Sequence, residues 1–80
     1  MSWNHRVVRR TVNYKNIEHV YYSIHEVYYD PDGSIYGWVA EPAQPYGETL
    51  EELEDDLKLI QSAVNLPVID EEDLPGGLDG

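Results

Sequence analysis

A ten-residue run, Val20-Tyr21-Tyr22-Ser23-Ile24-His25-Glu26-Val27-Tyr28-Tyr29, is dense in β-branched and aromatic side chains and stops at Asp30-Pro31-Asp32-Gly33. The run reads as a strand. The tetrapeptide reads as a turn with a mechanism: Asp30 bonds the turn backbone, Pro31 presets its φ, and Gly33 adopts the left-handed conformation. Together they predict a type I turn with a glycine bulge, closing a hairpin whose return strand is Ser34 to Ala40. The turn also implies a register. Asp30 faces Ser34, so Tyr29 faces Ile35, Tyr28 faces Tyr36, Val27 faces Gly37, Glu26 faces Trp38 and Ile24 faces Ala40. One face of the hairpin then carries Tyr22, Ile24, Tyr28, Tyr36 and Trp38, and the other His25, Val27, Ile35 and Val39.

The flanking sequence supplies partners for this hairpin. Trp3 to Val12 reads as a strand with arginines on both faces, a pattern that suits a sheet edge. Asn13 to Asn16 is a polar turn. Pro42, Pro45 and Gly47 make residues 41–47 a crossing loop. Thr49-Leu50-Glu51-Glu52 is a capping-box pattern, with Thr49 as N-cap and Glu52 at the third helical position. Acids crowd the following turns, where the helix dipole favours them. Leu50, Leu53, Leu57, Ile60 and Val64 recur at helical spacing, and Asn65 and Pro67 end the helix. Leu66 to Asp70 offers a short last strand. The expected architecture is α+β, β-β-β-α(-β): a three-stranded antiparallel sheet, with a short fourth strand in reserve, packed on one C-terminal amphipathic helix. Gly37 permits close approach, so the helix is expected on the face of Val27, Ile35 and Val39. Residues 1–69 form a single domain, and 70–80 read as a disordered acidic tail.

Charge narrows the function. The chain has 80 residues, 16 acids, five bases and a net charge of −11. Arg6, Arg9, Arg10 and Lys15 all fall in the first 16 residues, and Lys58 is the remaining base. This polarity disfavours direct nucleic-acid binding, which requires many phosphate-neutralising cations, and it disfavours anionic membranes. It suits a basic protein partner. Without cysteine there is no disulfide, thiolate nucleophile or zinc thiolate. The N-terminal residues lack the apolar run of a signal peptide, so the expected compartment is the cytoplasm.

No enzymatic constellation is legible. His5, His19 and His25 lack metal-ligand spacing, and they read as half-exposed strand residues. His25 and Glu26 are adjacent on a strand and point to opposite faces. Exposed glutamates on a capped helix lack the split environments that acid–base work requires. The chain is therefore read as a non-enzyme with no catalytic residue, cofactor or metal. The informative residues are aromatic and acidic. Tyrosine joins an apolar body to a polar tip and suits a half-buried surface. Tyr22, Tyr28, Tyr36 and Trp38 on the sheet, and Glu51, Glu54 and Asp55 on the helix, are the candidate protein-binding residues.

The strand ending in Asp30-Pro31-Asp32-Gly33, the strand Ser34 to Ala40, and the heptapeptide Gly47-Glu48-Thr49-Leu50-Glu51-Glu52-Leu53 together resemble the HicB-like antitoxin superfamily over residues 20–66. The resemblance implies a bacterial protein with a β-β-β-α-β, partial RNase H-like fold that lacks nuclease activity and masks a small toxin. It is to a stand-alone relative, without the DNA-binding domain of full-length antitoxins, so operator binding is not expected. The function expected from residues and resemblance is a small acidic protein-binding module, with homodimerisation along a sheet edge as a further expectation. The alternative is a nucleic-acid mimic of the phage-inhibitor type, with acids from Glu48 to Asp56 and in the tail imitating phosphates.

Overall fold

A computed structural model of the chain describes residues 2–76. The order of elements is β1 (Ser2–Tyr14), β2 (Ile17–Tyr29), β3 (Ile35–Trp38), α1 (Leu50–Gln61), a 3-10 turn (Ser62–Asn65), β4 (Ile69–Asp70) and a second 3-10 turn (Glu71–Asp73). The fold is the expected α+β arrangement with the short fourth strand present. The sheet is mixed, in the order β3-β2-β1-β4. β1 and β2 pair antiparallel along their whole lengths, from Ser2–Tyr29 to Tyr14–Ile17. β4 runs parallel to β1, with Val8 opposite Ile69.

The β1–β2 turn is tighter than the polar composition of residues 13–16 suggested. Lys15 and Asn16 both have positive φ, 52° and 65°, the signature of a two-residue type I′ loop whose twist matches the strands it joins. The strands therefore run two residues further on β1 and three further on β2 than expected.

The second hairpin closes as the tetrapeptide implied. The Gly33 amide donates to Asp30 O at 2.8 Å, the Asp30 amide donates to Ser34 O at 2.8 Å, and Gly33 has φ +89°. Beyond Tyr29–Ile35 the register departs from expectation. Tyr28 faces Gly37 and Val27 faces Trp38, with a bulge between Tyr28 and Tyr29. The extra residue is Tyr36. The shift moves Trp38 from the tyrosine face to the Val27 face, where it is buried. Burying an indole is worth roughly 4 kcal/mol by area, against about 1 kcal/mol for one interrupted ladder bond, so the core selects the bulge.

The core itself is Val8, Val27 and Trp38, with Tyr29, Ile35, Ala40 and Leu74 packed around them. No residue of α1 belongs to that cluster, which corrects the expectation that the helix shields Val27 and Ile35. Leu74, from the C-terminal segment, does so, and the Trp38 indole donates to Pro75 O at 2.7 Å. Residues 70–76, expected as part of a loose tail, are thus built into the domain, while residues 77–80 of that expected tail lie outside the described residues. Asp70 and Glu71 explain why β1 is not an edge. The Arg9 guanidinium donates to Asp70 at 3.1 Å and that of Arg10 to Glu71 at 3.1 Å. Arg6 donates to Tyr29 Oη and to Pro67 O. Cations that would have warded off a neighbouring strand instead receive one.

The helix begins as its caps imply. Thr49 Oγ1 accepts from the Glu52 amide at 3.1 Å. The Glu52 carboxylate reaches back to the Glu48 amide at 2.9 Å, one residue before the N-cap. Of the apolar stripe, Ile60 is buried and Leu53 half-buried, whereas Leu50, Leu57 and Val64 are exposed. The helical segment meets the sheet through residues 62–65, which pack on β1 and bury Ala63.

Candidate protein-binding surfaces

Two histidines expected to be half-exposed are buried. His25 is fully covered, its ring edge-on to Trp38 at 5.1 Å between centroids. Its Nδ1 lies 2.9 Å from Val39 O and its Nε2 2.7 Å from Ser23 Oγ. A carbonyl only accepts, so Nδ1 carries the proton and neutral Nε2 accepts from the Ser23 hydroxyl. Burial, with the Arg10 guanidinium a lesser contributor, pushes the ring's pKa below its ordinary value. His5 is 6% exposed beneath Trp3, their rings 5.3 Å apart. Among the described residues no group of three or more His, Cys, Asp or Glu is placed to hold a metal ion. Also among the described residues, no helix is long and apolar enough to cross a membrane.

The aromatic candidates divide. Tyr28 and Tyr36 share the face opposite Trp38, their rings 6.2 Å apart. The Tyr28 hydroxyl donates to Glu26 Oε1 at 3.0 Å, and this bond to a carboxylate, aided by partial desolvation, raises the phenol's pKa. Trp3, which the sequence reading left out, joins them at 6.4 Å from Tyr28. It pairs with Tyr28 directly across the ladder, a contact that could be foreseen only with the β1–β2 register in hand. Tyr22 stands apart, further along β2 and 61% exposed. Trp38 is on the other face, enclosed by His25 and by the Arg10 guanidinium 5.4 Å above its ring. The structure therefore joins Tyr28, Tyr36 and Trp3, and removes Trp38 from the accessible set.

The acidic candidates Glu51, Glu54 and Asp55 are all exposed on α1. Glu54 lies beside the exposed leucines of the helix, whereas Glu51 and Asp55 lie further round it. Leu50 and Leu57, seven residues apart on one side of α1, are 71% and 45% exposed, and Val64, in the 3-10 turn that follows, is 61% exposed. Further round the helix, Tyr46, Glu52, Asp55, Asp56 and Leu59 line an open groove of about 430 Å³. The Asp56 carboxylate accepts from the Tyr46 amide at 2.9 Å, fixing the loop as one wall.

A third surface is the distal half of the β1–β2 ribbon. β4 accompanies β1 only as far as Arg9, and β3 accompanies β2 only from Val27 onward. The loop after β3 adds main-chain bonds to Glu26 O and Ile24 O. Residues 11–22 form a bare two-stranded arm, exposed throughout. Compared with protein-family models, with curated proteins and with solved structures, the chain matches none.

Proposed function

We propose that this chain is a protein-binding module that offers α1 to a basic protein partner. The observation that carries the reading is the uncovered pair Leu50 and Leu57 beside Glu54, with exposed Glu51 and Asp55 further round α1. A helix normally hides its apolar stripe; one that shows it among acids suits a segment with apolar anchors and cationic flanks. Lys and Arg suit the Tyr46–Leu59 groove as well, because their aliphatic stems lie on apolar walls while their heads meet Asp55 and Asp56. Masking of a small basic toxin, in the manner of HicB-like antitoxins, is the finer form of this proposal. It rests on the helix-entry resemblance at Gly47 to Leu53.

The experiment is affinity capture with the whole chain at low (about 50 mM) and moderate (about 300 mM) salt. Wild type is compared with Leu57→Lys and with Glu51→Lys/Glu54→Lys. A basic protein held by wild type at low salt, released at the higher salt and lost by both variants is the expected result. Recovery of no protein, or equal recovery by all three chains, refutes the proposal. A partner displaced by DNA would select the alternative, imitation of nucleic-acid phosphates by residues 48–56.

A further inference from the structure

The rings of Trp3, Tyr28 and Tyr36 form a row across β1, β2 and β3, with neighbouring centroids 6.4 and 6.2 Å apart. Trp3 and Tyr36, at its two ends, are 48% and 38% exposed. The row is not purely apolar. Glu26 stands two positions from Tyr28 on the same face of β2, and the Tyr28 hydroxyl donates to its Oε1 at 3.0 Å. One such bond leaves most of a carboxylate's acceptor capacity unused. In the β1–β2 register Trp3 is the diagonal neighbour of Glu26, roughly 7–8 Å away. The residue directly opposite Glu26 is His5. Its ring lies edge-on to Trp3 and is 6% exposed, and its Nδ1 is buried without a hydrogen-bond partner. The floor of the contact thus holds an unmet polar atom that a donor entering between Trp3 and Glu26 would satisfy. The Glu26 carboxylate also borders a cavity of about 490 Å³, lined by Glu26, Val39 and residues 41–44. Main-chain bonds fasten its wall to β2: the Val39 amide donates to Glu26 O at 3.0 Å and the Ala43 amide to Ile24 O at 2.8 Å. With Glu41, the cavity carries two carboxylates and no base.

We propose that Glu26 and the Trp3–Tyr28–Tyr36 row form a binding site for an arginine side chain of a protein partner. Charge complementarity selects a cation: the site holds Glu26, the adjoining cavity adds Glu41, and neither is lined by a base. The aromatic row selects guanidinium among cations. A guanidinium is planar and weakly hydrated, so it lies on an aromatic face while its N–H groups donate to a carboxylate. Cation–π attraction extends to about 6 Å from a ring centroid. A guanidinium bound to Glu26 therefore comes within range of both Tyr28 and Trp3. The lysine ammonium is a compact, strongly hydrated charge that uses the carboxylate but gains less from the rings. The site involves no residue of α1 and stands or falls independently of the partner proposed for the helix.

An NMR titration of the full chain tests it. The probe is acetyl-Gly-Arg-Gly-amide, and its control is the same peptide with citrulline, which keeps the length and shape of the side chain but has no charge. The arginine peptide is expected to bind in the millimolar range, as one cation–π contact and one charge-assisted bond allow. It should saturably shift the Trp3 indole N–H and the amides of Tyr28 and Tyr36, and the citrulline peptide should bind about tenfold more weakly. Glu26→Gln keeps an oxygen for the Tyr28 hydroxyl but removes the charge, and Trp3→Leu alters an exposed ring. Each is expected to weaken the arginine peptide about fivefold or more, whereas Glu54→Gln on α1 leaves it unchanged. Absence of saturable shifts up to about 50 mM peptide overturns the proposal. So does equal binding of the citrulline peptide, indifference to either Glu26→Gln or Trp3→Leu, or an effect of Glu54→Gln as large as theirs. Shifts centred on α1 do the same. Tetramethylammonium bound as tightly as the arginine peptide assigns the row to quaternary ammonium ligands and likewise refutes the arginine reading.

Discussion

His25 shows what one buried titratable ring does to a small core. Covered by Trp38 and tied to Ser23 and Val39 O, it is held neutral, with its pKa below the ordinary 6.5. In the unfolded chain the same ring protonates near 6.5, so as pH falls the unfolded state takes up the proton first. The contribution of His25 to stability is therefore complete above about pH 6.5 and is lost progressively below it, down to the folded-state pKa. Urea midpoints measured between pH 7.5 and 5.5 should decline more steeply for wild type than for His25→Gln; parallel declines would show that the ring does not titrate in this way. Trp38 is the other residue on which the core turns. Trp38→Ala should cost about 3–5 kcal/mol in urea denaturation, as a large buried side chain leaves a cavity. Trp38→Phe keeps most of the packing but removes the bond to Pro75 O. It should cost about 1 kcal/mol, and amide exchange should quicken selectively at residues 71–74.

Two turns govern their elements. In the arm, Lys15 and Asn16 hold left-handed conformations that side chains with a Cβ adopt at a cost of roughly 1 kcal/mol. Lys15→Asn/Asn16→Gly supplies the residues that a type I′ turn prefers. It should slow amide exchange across residues 11–22 while leaving the core strands unchanged; no change in the arm would mean that the loop is not limiting. At the helix entry, a Cβ on Gly47 would collide with the Leu53 amide nitrogen and with Glu52. The loop seats against the first turn because that side chain is missing. Gly47→Ala should therefore destabilise the chain by more than Thr49→Ala, whose loss is that of one N-cap, about 1 kcal/mol. Thermal melts of the two variants side by side decide this, and a milder effect at Gly47 would mean that the loop adjusts freely.

At the scale of the whole molecule, electrostatics oppose compactness. The exposed Arg9–Asp70 pair contributes little and is screened by salt. The repulsion among the many acids is screened as well, and it is the larger effect in a chain of charge −11. Raising sodium chloride from about 20 to 500 mM should accordingly raise the urea midpoint; a fall would show that the ion pairs of β1 outweigh the net charge. The same balance explains the placement of the C-terminal acids. Asp70 and Glu71 meet Arg9 and Arg10 of β1, which pairs two of the four bases of the N-terminal segment with acids and leaves most of the carboxylates of α1 uncompensated.

Elements whose cause is local were legible from residues alone. The Asp30–Gly33 turn, the Thr49 cap, the two long strands and the α+β order each depend on side chains within a few positions of one another, so pattern and turn chemistry suffice to specify them. Tertiary structure decided the rest. The bulge at Tyr36 exists because Trp38 gains more in the core than a regular ladder loses, and that gain comes from Val8, Leu74 and Pro75, distant in sequence. Residues 70–75 read as loose by composition, yet they are held by Arg9, Arg10 and Trp38, groups that only the folded sheet brings within reach. The exposed leucine line on α1 and the bare arm were equally out of sight. Periodicity marks which side chains could be buried, but whether they are depends on how far the neighbouring elements extend.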